Sequence, residues 1–569
     1  MAYSLNRRAF LGSAAAGTAA GLIGTSRGVR ARAVSASRKI SASWIDAERA
    51  AIRAGMAEGG IGAAAVALVH RGDPVWVEGF GRTDANDGQA VADDTLFSIQ
   101  STSKNFTAVA VLLAVQEGLL DLDAPITRYL PGFSVRSRFE AKPQERITLR
   151  LLLGNRAGFT HEAPVGNNYE AEAPGFEAHV RSISETWLRF PVGDRYRYSN
   201  LGLDLAGYIL GRQTGLGYAE WLRRRLFAPL GMDDSTADAA VYGNVANRAV
   251  GSQKGHAQVP LVTPLVASGG VWTNARDMAT YLAFHLARGR WQGRQVLSRE
   301  LWNEMHGFGV GGDYGLGVMR DELRHGTTPV RVLHHRGGGF GFGCVFLYCP
   351  EAELGWAAMF NRAASAGYRF GEGLVDRMLT ARFGQRAPRL PVSALAPIRP
   401  TAARKRALVG SYIGRNVRVE IDGSDGGLRF RQEKPQRESA LGLTAPDALF
   451  TVDADGETVT YRHHPATAAL PAHLECSKGE HSLDYNEGPD DPAGPDRREW
   501  DRYLGRYRVQ QWGKPSMDIA IERRHGWLYL DGIRLVVETE PGLFFTSDGE
   551  AVDFRASPPT WRNLLLRRD

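Results

Sequence analysis

The sequence predicts an α/β fold, in which one antiparallel sheet flanked by helices is followed by two small antiparallel β-barrel-like domains. Three observations carry this prediction. Strand patterns stand at both ends of the first 385 residues, with helical patterns between them. Two proline-rich breaks divide the remainder. After each break the same short strand pattern recurs.

The elements follow in order. Ile40 to Glu58 reads as an amphipathic helix. Ala63-Ala-Ala-Val-Ala-Leu-Val-His70 and Pro74-Val-Trp-Val-Glu-Gly-Phe80 read as strands joined by the turn Arg71-Gly-Asp. Helical patterns dominate from Ser101 to about Gly289. Strands return at Val330 to His334, Gly343 to Tyr348 and Leu354 to Phe360, before a helix from about Gly371 to Phe383. The two ends of a domain spanning 37–385 thus share one sheet. A proline-rich linker, 386–402, precedes a small β-domain at 403–487, and a second linker, 488–497, precedes another at 498–569. Val409-Gly-Ser-Tyr412 in the first is echoed by Leu504-Gly-Arg-Tyr507 in the second, each ahead of period-two alternation. The break at 488–496 favours two domains over one continuous β-domain.

A chain of 569 residues is too long for one core. Its 43% hydrophobic and 23% charged residues are those of ordinary globular protein. The formal charge of +7 comes largely from Arg7, Arg8, Arg27, Arg30 and Arg32, in a leader without acidic residues; the rest carries only +2. That near-neutrality argues against nucleic acid as a partner. Asn6-Arg-Arg-Ala-Phe-Leu-Gly12, an apolar run and small residues at 31–36 predict a twin-arginine export signal over 1–36, hence a periplasmic or secreted protein. The run is too short to span a bilayer stably, and no other segment is apolar enough. Cys344, Cys349 and Cys476 have no metal-ligand spacing and read as buried hydrophobes.

Chemistry concentrates in three clusters. In Phe97-Ser-Ile-Gln-Ser-Thr-Ser-Lys104, positions 101 and 104 fall on one face of a helix, which makes Ser101 and Lys104 neighbours. Ser101 stands at the helix N-terminus, and the apolar run Phe106 to Val115 buries the helix, desolvating Lys104 so that its amine can accept a proton. Ser98 precedes the helix and Ser103 points to another face, so both are weaker candidates. A capping serine explains the residues equally well at this point. Tyr198-Ser-Asn200 stands just before a helical pattern, where the phenol can share protons with a lysine and the amide can bind a carbonyl. Tyr242-Gly-Asn244 has the same pattern in a loop-like region with no apolar helix after it. Finally, His335 closes a strand ahead of Gly337, Gly338 and Gly339, which would let a substrate approach the backbone as an oxyanion site requires.

Together these clusters resemble the serine β-lactamase-like family of class C β-lactamases, D-Ala-D-Ala carboxypeptidases, D-aminopeptidases and esterases. Ser101-Thr-Ser-Lys104, Tyr198-Ser-Asn200 and His335-Arg-Gly337 match its three motifs, with support from Gly118 to Ile126, Pro229 to Met232, Ser268 to Asp277 and Tyr314 to Gly317. The likeness covers roughly residues 45 to 383. It implies a β-lactamase/transpeptidase-like catalytic domain in which Ser101 is the acylated nucleophile and Lys104 with Tyr198 the proton-transfer pair. Asn200 would contact the substrate amide. His335 would hydrogen-bond near Tyr198, and the amides of Ser101 and Gly338 would form the oxyanion hole. The family's His-Thr-Ser-Gly segment is replaced by Leu152-Leu-Gly-Asn-Arg-Ala-Gly158, and His335 stands, as in the family's peptidases and esterases, where its β-lactamases carry lysine, so that Arg336 would supply the missing charge if it faced the cleft. Two trailing β-domains look most like the D-aminopeptidase arrangement.

The expectation is an exported serine hydrolase acting on a small peptide, amide or ester, foremost D-amino-acid peptides and amides, with no cofactor and no metal. Carboxylesterase is the neighbouring alternative. A penicillin-binding sensor or cell-wall-binding protein whose acyl-enzyme does not turn over is the alternative from another class. Oligomeric state is open.

Overall fold

The computed structural model describes residues 40–84, 88–166, 175–253, 259–307, 314–387, 397–414, 417–424, 427–433, 436–452, 458–467, 470–476, 482–509 and 517–568. The leader expected over 1–36 and much of the first proline-rich break lie outside the described residues. Ala42 to Asp569 form one compact unit.

The central sheet has seven antiparallel strands. They are β1 (Ala63–His70), β2 (Asp73–Gly81), β3 (Met319–His325), β4 (Thr328–Gly339), β5 (Phe342–Cys349), β6 (Leu354–Phe360) and β7 (Arg386–Ala387), in the order β7-β3-β4-β5-β6-β1-β2. β1, rich in alanine, is buried along seven of its eight residues and pairs with β6, which joins the two ends of the domain. Helices cover both faces. Gly355 of β6 packs against Leu282 of α4 (Ala275–Leu286), whereas its neighbour Trp356 packs against Gly371, at the head of α5 (Glu372–Phe383). Adjacent residues of a strand point to opposite faces, so α4 and α5 lie on opposite sides. The first helix, α1 (Ala42–Gly59), buries Glu48, Ile52 and Met56 at four-residue spacing, and Glu48 accepts the Gly371 amide at 2.8 Å.

Three details differ from the sequence reading. Strand β4 does not end at His335 but continues through all three glycines, paired with β5 as far as Gly339–Phe342. β3, whose residues Met-Arg-Asp-Glu-Leu-Arg-His carry no apolar alternation, nevertheless pairs with β4 over its full length. Arg386 and Ala387 pair with β3, so the sheet reaches into the stretch read as linker.

The C-terminal part forms two closed barrels of eight antiparallel strands each, running from Gly410–Ile413 to Ser482–Glu487 and from Gly505–Val509 to Leu564–Arg568. The repeated Gly-x-Tyr pattern has one structural meaning in both. Tyr412 donates its hydroxyl to Leu408 O at 2.9 Å, and Tyr507 donates to Tyr503 O at 2.8 Å. Each tyrosine ties the first strand to the last residue of the short helix before it, Ala402–Leu408 in the first barrel and the 3₁₀ helix Arg498–Tyr503 in the second. Between the barrels the stretch read as a linker is pinned, with Asp491 accepting from the Gly488 amide and the Tyr485 hydroxyl.

Candidate active site

Ser101 lies in a 3₁₀ turn, Gln100–Thr102, that runs directly into α2 (Ser103–Gln116). It therefore stands one step ahead of the α-helix, not inside it. Gln100 adopts φ +48°, a left-handed conformation that costs a non-glycine residue about 1 kcal/mol or more, and its Nε2 donates to Ser98 Oγ at 2.8 Å. Such strain persists only where surroundings enforce it. Here they do, because the turn is wedged between α2 and the glycine segment of β4. A Cβ on Gly337 would stand 2.0 Å from Ile99 O. The glycine is thus required by the serine's own turn. Gly338 faces the other way, toward the Tyr368 hydroxyl, which donates to Gly337 O at 2.9 Å.

Helix α2 is buried from Ser103 to Ala114, and Lys104 is wholly enclosed. Its Nζ stands 3.2 Å from Ser101 Oγ and donates to Asn200 Oδ1 and Ser268 O, both at 2.9 Å. Among the described residues no carboxylate pairs with it. This geometry serves either protonation state. An ammonium donates to all three oxygens, and a neutral amine donates to Asn200 and Ser268 while accepting from the serine hydroxyl. The Tyr198 ring lies under the amine, its centroid 4.8 Å from Nζ. With Oδ1 committed to Lys104, Asn200 has its NH₂ group left for a substrate carbonyl.

The segment carrying Tyr198 is held by the residues that replace the family's His-Thr-Ser-Gly. Asn155 O accepts from the Arg197 amide and Asn155 Oδ1 from the Ser199 amide, both at 2.9 Å. Ser199 Oγ donates to Thr160 O at 2.6 Å, and α3 (Leu201–Thr214) begins just after Asn200.

His335 departs from expectation. It is buried in mid-strand with its ring centroid 6.3 Å from that of Tyr198, and both nitrogens are engaged elsewhere. Nδ1 donates to Arg336 O at 2.8 Å, so Nε2 is the acceptor and takes a hydrogen bond from the Tyr314 hydroxyl at 3.2 Å. Burial, with repulsion from Lys104, lowers the His335 pKa to about 3, so the ring is neutral at physiological pH. Arg336 does not replace the lost charge on that face. It alternates to the other side of β4, exposed, lining a cavity with Gly338, Tyr368 and Glu372.

A further layer escaped the sequence reading. Asp204 of α3 is fully buried and accepts from the Ala267 and Ser268 amides and from Ser268 Oγ, fixing the carbonyl that receives Lys104. His179 donates Nε2 to Asp204 at 3.3 Å and Nδ1 to Val165 O at 2.9 Å, an arrangement that needs both nitrogens protonated. Burial opposes that charge, but Asp204 and the Val165 carbonyl outweigh it and raise the His179 pKa. Ser268 was recognisable only as part of a supporting motif, and His179 carried no sequence signal. The rejected candidates have structural roles: Ser103 Oγ accepts the Val271 amide, and Tyr242 stacks on Trp272 with centroids 4.9 Å apart.

The profile of the beta-lactamase family matches residues 49–377, more than half of the sequence and the whole of this site. The chain belongs to the beta-lactamase family. Among curated relatives it is 30% identical over 185 residues to the esterase EstB of Burkholderia gladioli, covering 31% of this chain and 46% of that protein. It is 22% identical over 351 residues to the D-alanyl-D-alanine-carboxypeptidase/endopeptidase AmpH of Escherichia coli, covering 59% and 89% respectively. The chain spans less than half the length of the curated relatives it matches first. In fold it is similar to SurE, solved with D-Leu, at a TM-score of 0.55 and 22% identity over 78% of this chain and all of that one. A class C beta-lactamase from Rhodobacter sphaeroides aligns at a TM-score of 0.50 and 23% identity over 59% of this chain and 99% of that one. The beta-lactamase fold is thereby shown for the sheet-and-helix part.

Proposed function

We propose that the protein is a serine hydrolase that forms an acyl-enzyme at Ser101, acting foremost on D-amino-acid peptides and amides. The observation that carries this reading is the enclosed Lys104 amine 3.2 Å from Ser101 Oγ, held by two further acceptors and unpaired with any carboxylate among the described residues. Ser101 Oγ attacks the substrate carbonyl carbon as its proton passes to the Lys104–Tyr198 pair. The oxyanion is received by the amides of Ser101 and Gly338, and losing one such donor typically costs about 3 kcal/mol. The leaving amine takes the proton, water attacks the acyl-enzyme and the acid departs. Asn200 holds the substrate amide through its NH₂ group.

The neutral His335 bears on substrate class. At the position where a lysine would hold a substrate carboxylate stands a neutral histidine, which supports amides with a free amino end over substrates ending in a carboxylate. The same observation, with the EstB likeness, supports carboxylesterase as the second reading. The twin arginines at 7 and 8 support export to the periplasm or beyond, tested by fractionating cells that express Arg7→Lys/Arg8→Lys.

The deciding experiment labels wild type and Ser101→Ala with a fluorescent fluorophosphonate, then measures turnover of D-Ala-p-nitroanilide, short-chain nitrophenyl esters and a chromogenic cephalosporin. Labelling of wild type alone with faster amide turnover is expected. Faster ester turnover would establish the esterase, labelling without turnover the non-turnover sensor, and equal labelling of both proteins would end the Ser101 reading.

A further inference from the structure

Tyr198 sits in a segment without regular structure, yet the reading above requires its phenol to be held to within about an ångström of Lys104 and Ser101. What holds it on the side away from Asn155 comes from the barrels. Arg195-Tyr-Arg-Tyr198 alternates. Tyr196 and Tyr198 face the site, with ring centroids 5.1 Å from Tyr314 and 6.3 Å from His335. Arg195 and Arg197 are buried instead against the first barrel. There Asp484, itself buried, accepts Arg195 Nη1 at 2.7 Å and pairs through its other oxygen with Arg197 Nη2. Arg197 Nη1 also donates to Ser482 O at 2.9 Å, and Asp194 completes the balance of two cations and two anions.

The second barrel reaches the same segment from the Thr160 side. Its turn Ser547-Asp548-Gly549-Glu550 is buried, and it packs so closely that a Cβ on Gly549 would stand 2.3 Å from Arg189 O. Arg189 donates to Asp548 O and Oδ2 at 2.8 and 2.9 Å. Glu550 Oε2 accepts Thr160 Oγ1 at 2.6 Å, and the carbonyl of that threonine holds Ser199 Oγ. The next residue, His161, stacks on the Tyr198 ring with centroids 5.9 Å apart, while Asn563 Nδ2 donates to Glu162 O at 2.7 Å.

We infer that both barrels are positioning elements for Tyr198: Asp484 acts through Arg195 and Arg197, and Glu550 acts through Thr160 and Ser199. The inference rests on the Ser101 hydrolase reading for its kinetic consequence, but not for its geometric one. Two readouts keep them apart. Full-length protein carrying 3-fluorotyrosine is compared by ¹⁹F NMR, the Tyr198 signal being assigned by its absence in Tyr198→Phe. Asp484→Asn is expected to shift or broaden that signal, to lower kcat about 10²-fold and to leave KM within about threefold. Glu550→Gln, which keeps an acceptor for Thr160 and leaves Arg189 paired with Asp548, is expected to retain most activity, and Glu550→Ala to lose it. A folded Asp484→Asn protein whose Tyr198 signal stays in place, or which loses only melting temperature, would overturn the inference. Should that variant not fold, Arg197→Lys, which keeps the charge but not the fork, is read by the same signal. An inactive wild type would defeat the hydrolase reading alone, because the fluorine signal is recorded without turnover.

Discussion

Replacing Gly337 by alanine should disable the site without unfolding the protein. The added Cβ would stand 2.0 Å from Ile99 O and 3.2 Å from Gln100 Cβ, against 3.4 Å or more for ordinary contact. The obstacle is main chain, so no side chain can swing away. β4 and the turn carrying Ser101 must separate by on the order of 1 Å, a displacement that typically costs about 10²-fold in rate when it falls on the reacting groups. Overpacking of this kind costs about 1–3 kcal/mol of stability, which a domain of this size survives. The assay is the rate of fluorophosphonate labelling and kcat/KM, with circular dichroism and a thermal melt on the same samples. Gly338→Ala supplies the control. Its Cβ would meet the Tyr368 hydroxyl at 2.2 Å, so Tyr368→Phe should restore activity to Gly338→Ala and do nothing for Gly337→Ala. Gly337→Ala that labels within threefold of wild type would refute the reasoning, because the turn would then have moved without consequence.

Three further outcomes follow from the same geometry. Lys104→Met should lower kcat by about 10²–10⁴, the usual range for a lost general base, with the labelling rate falling in parallel. His335 has its pKa depressed by burial and Lys104, so its contribution to stability is present above the unfolded value of about 6.5 and is lost as pH falls toward about 3. Between pH 6.5 and 4 that loss amounts to about 3 kcal/mol, and denaturant titrations should show it in wild type but not in His335→Gln. His179 behaves in the opposite sense: its pKa is raised by Asp204 against the pull of burial, so its contribution is complete below about pH 6.5 and fades as pH rises through the raised value. The alkaline decline of wild type should therefore exceed that of His179→Asn in the same titrations.

Much of this was legible in the sequence because it is local. Ser101 and Lys104 are three residues apart, and any helical continuation brings them together. The alanine-rich β1 and the Gly-x-Tyr repeats announce their own surroundings. What was not legible depends on distant partners. The glycines after His335 read as the end of a strand because glycine weakens isolated strands, yet pairing with β5 carries the strand through them. β3 has no apolar alternation and becomes a strand only because β4 offers it an edge. The partner of His335 is Tyr314, whose hydroxyl no spacing rule points at the histidine. Asp484 lies 289 residues from Arg195, and nothing in either neighbourhood names the other.

These long-range partners change what the catalytic part of the chain is. The sequence invites a cut near residue 386, with a complete enzyme before it and two accessories after it. The charges argue otherwise. Arg189, Arg195 and Arg197 are all nearly buried, and Asp548, Glu550 and Asp484, which pair with them, belong to the barrels, while Asp194 of the same segment also pairs with Arg195. A buried guanidinium deprived of its carboxylate is strongly destabilising, typically by about 3–5 kcal/mol, unless it moves to water. For Arg195 and Arg197 such movement would carry Tyr196 and Tyr198 with it, since neighbouring residues of an extended segment turn together. Tyr198 is thus held from three sides, by Asn155 within its own domain and by one acid from each barrel. The unit that completes the site is therefore the whole of 42–569, and the fold of the family is only its larger part.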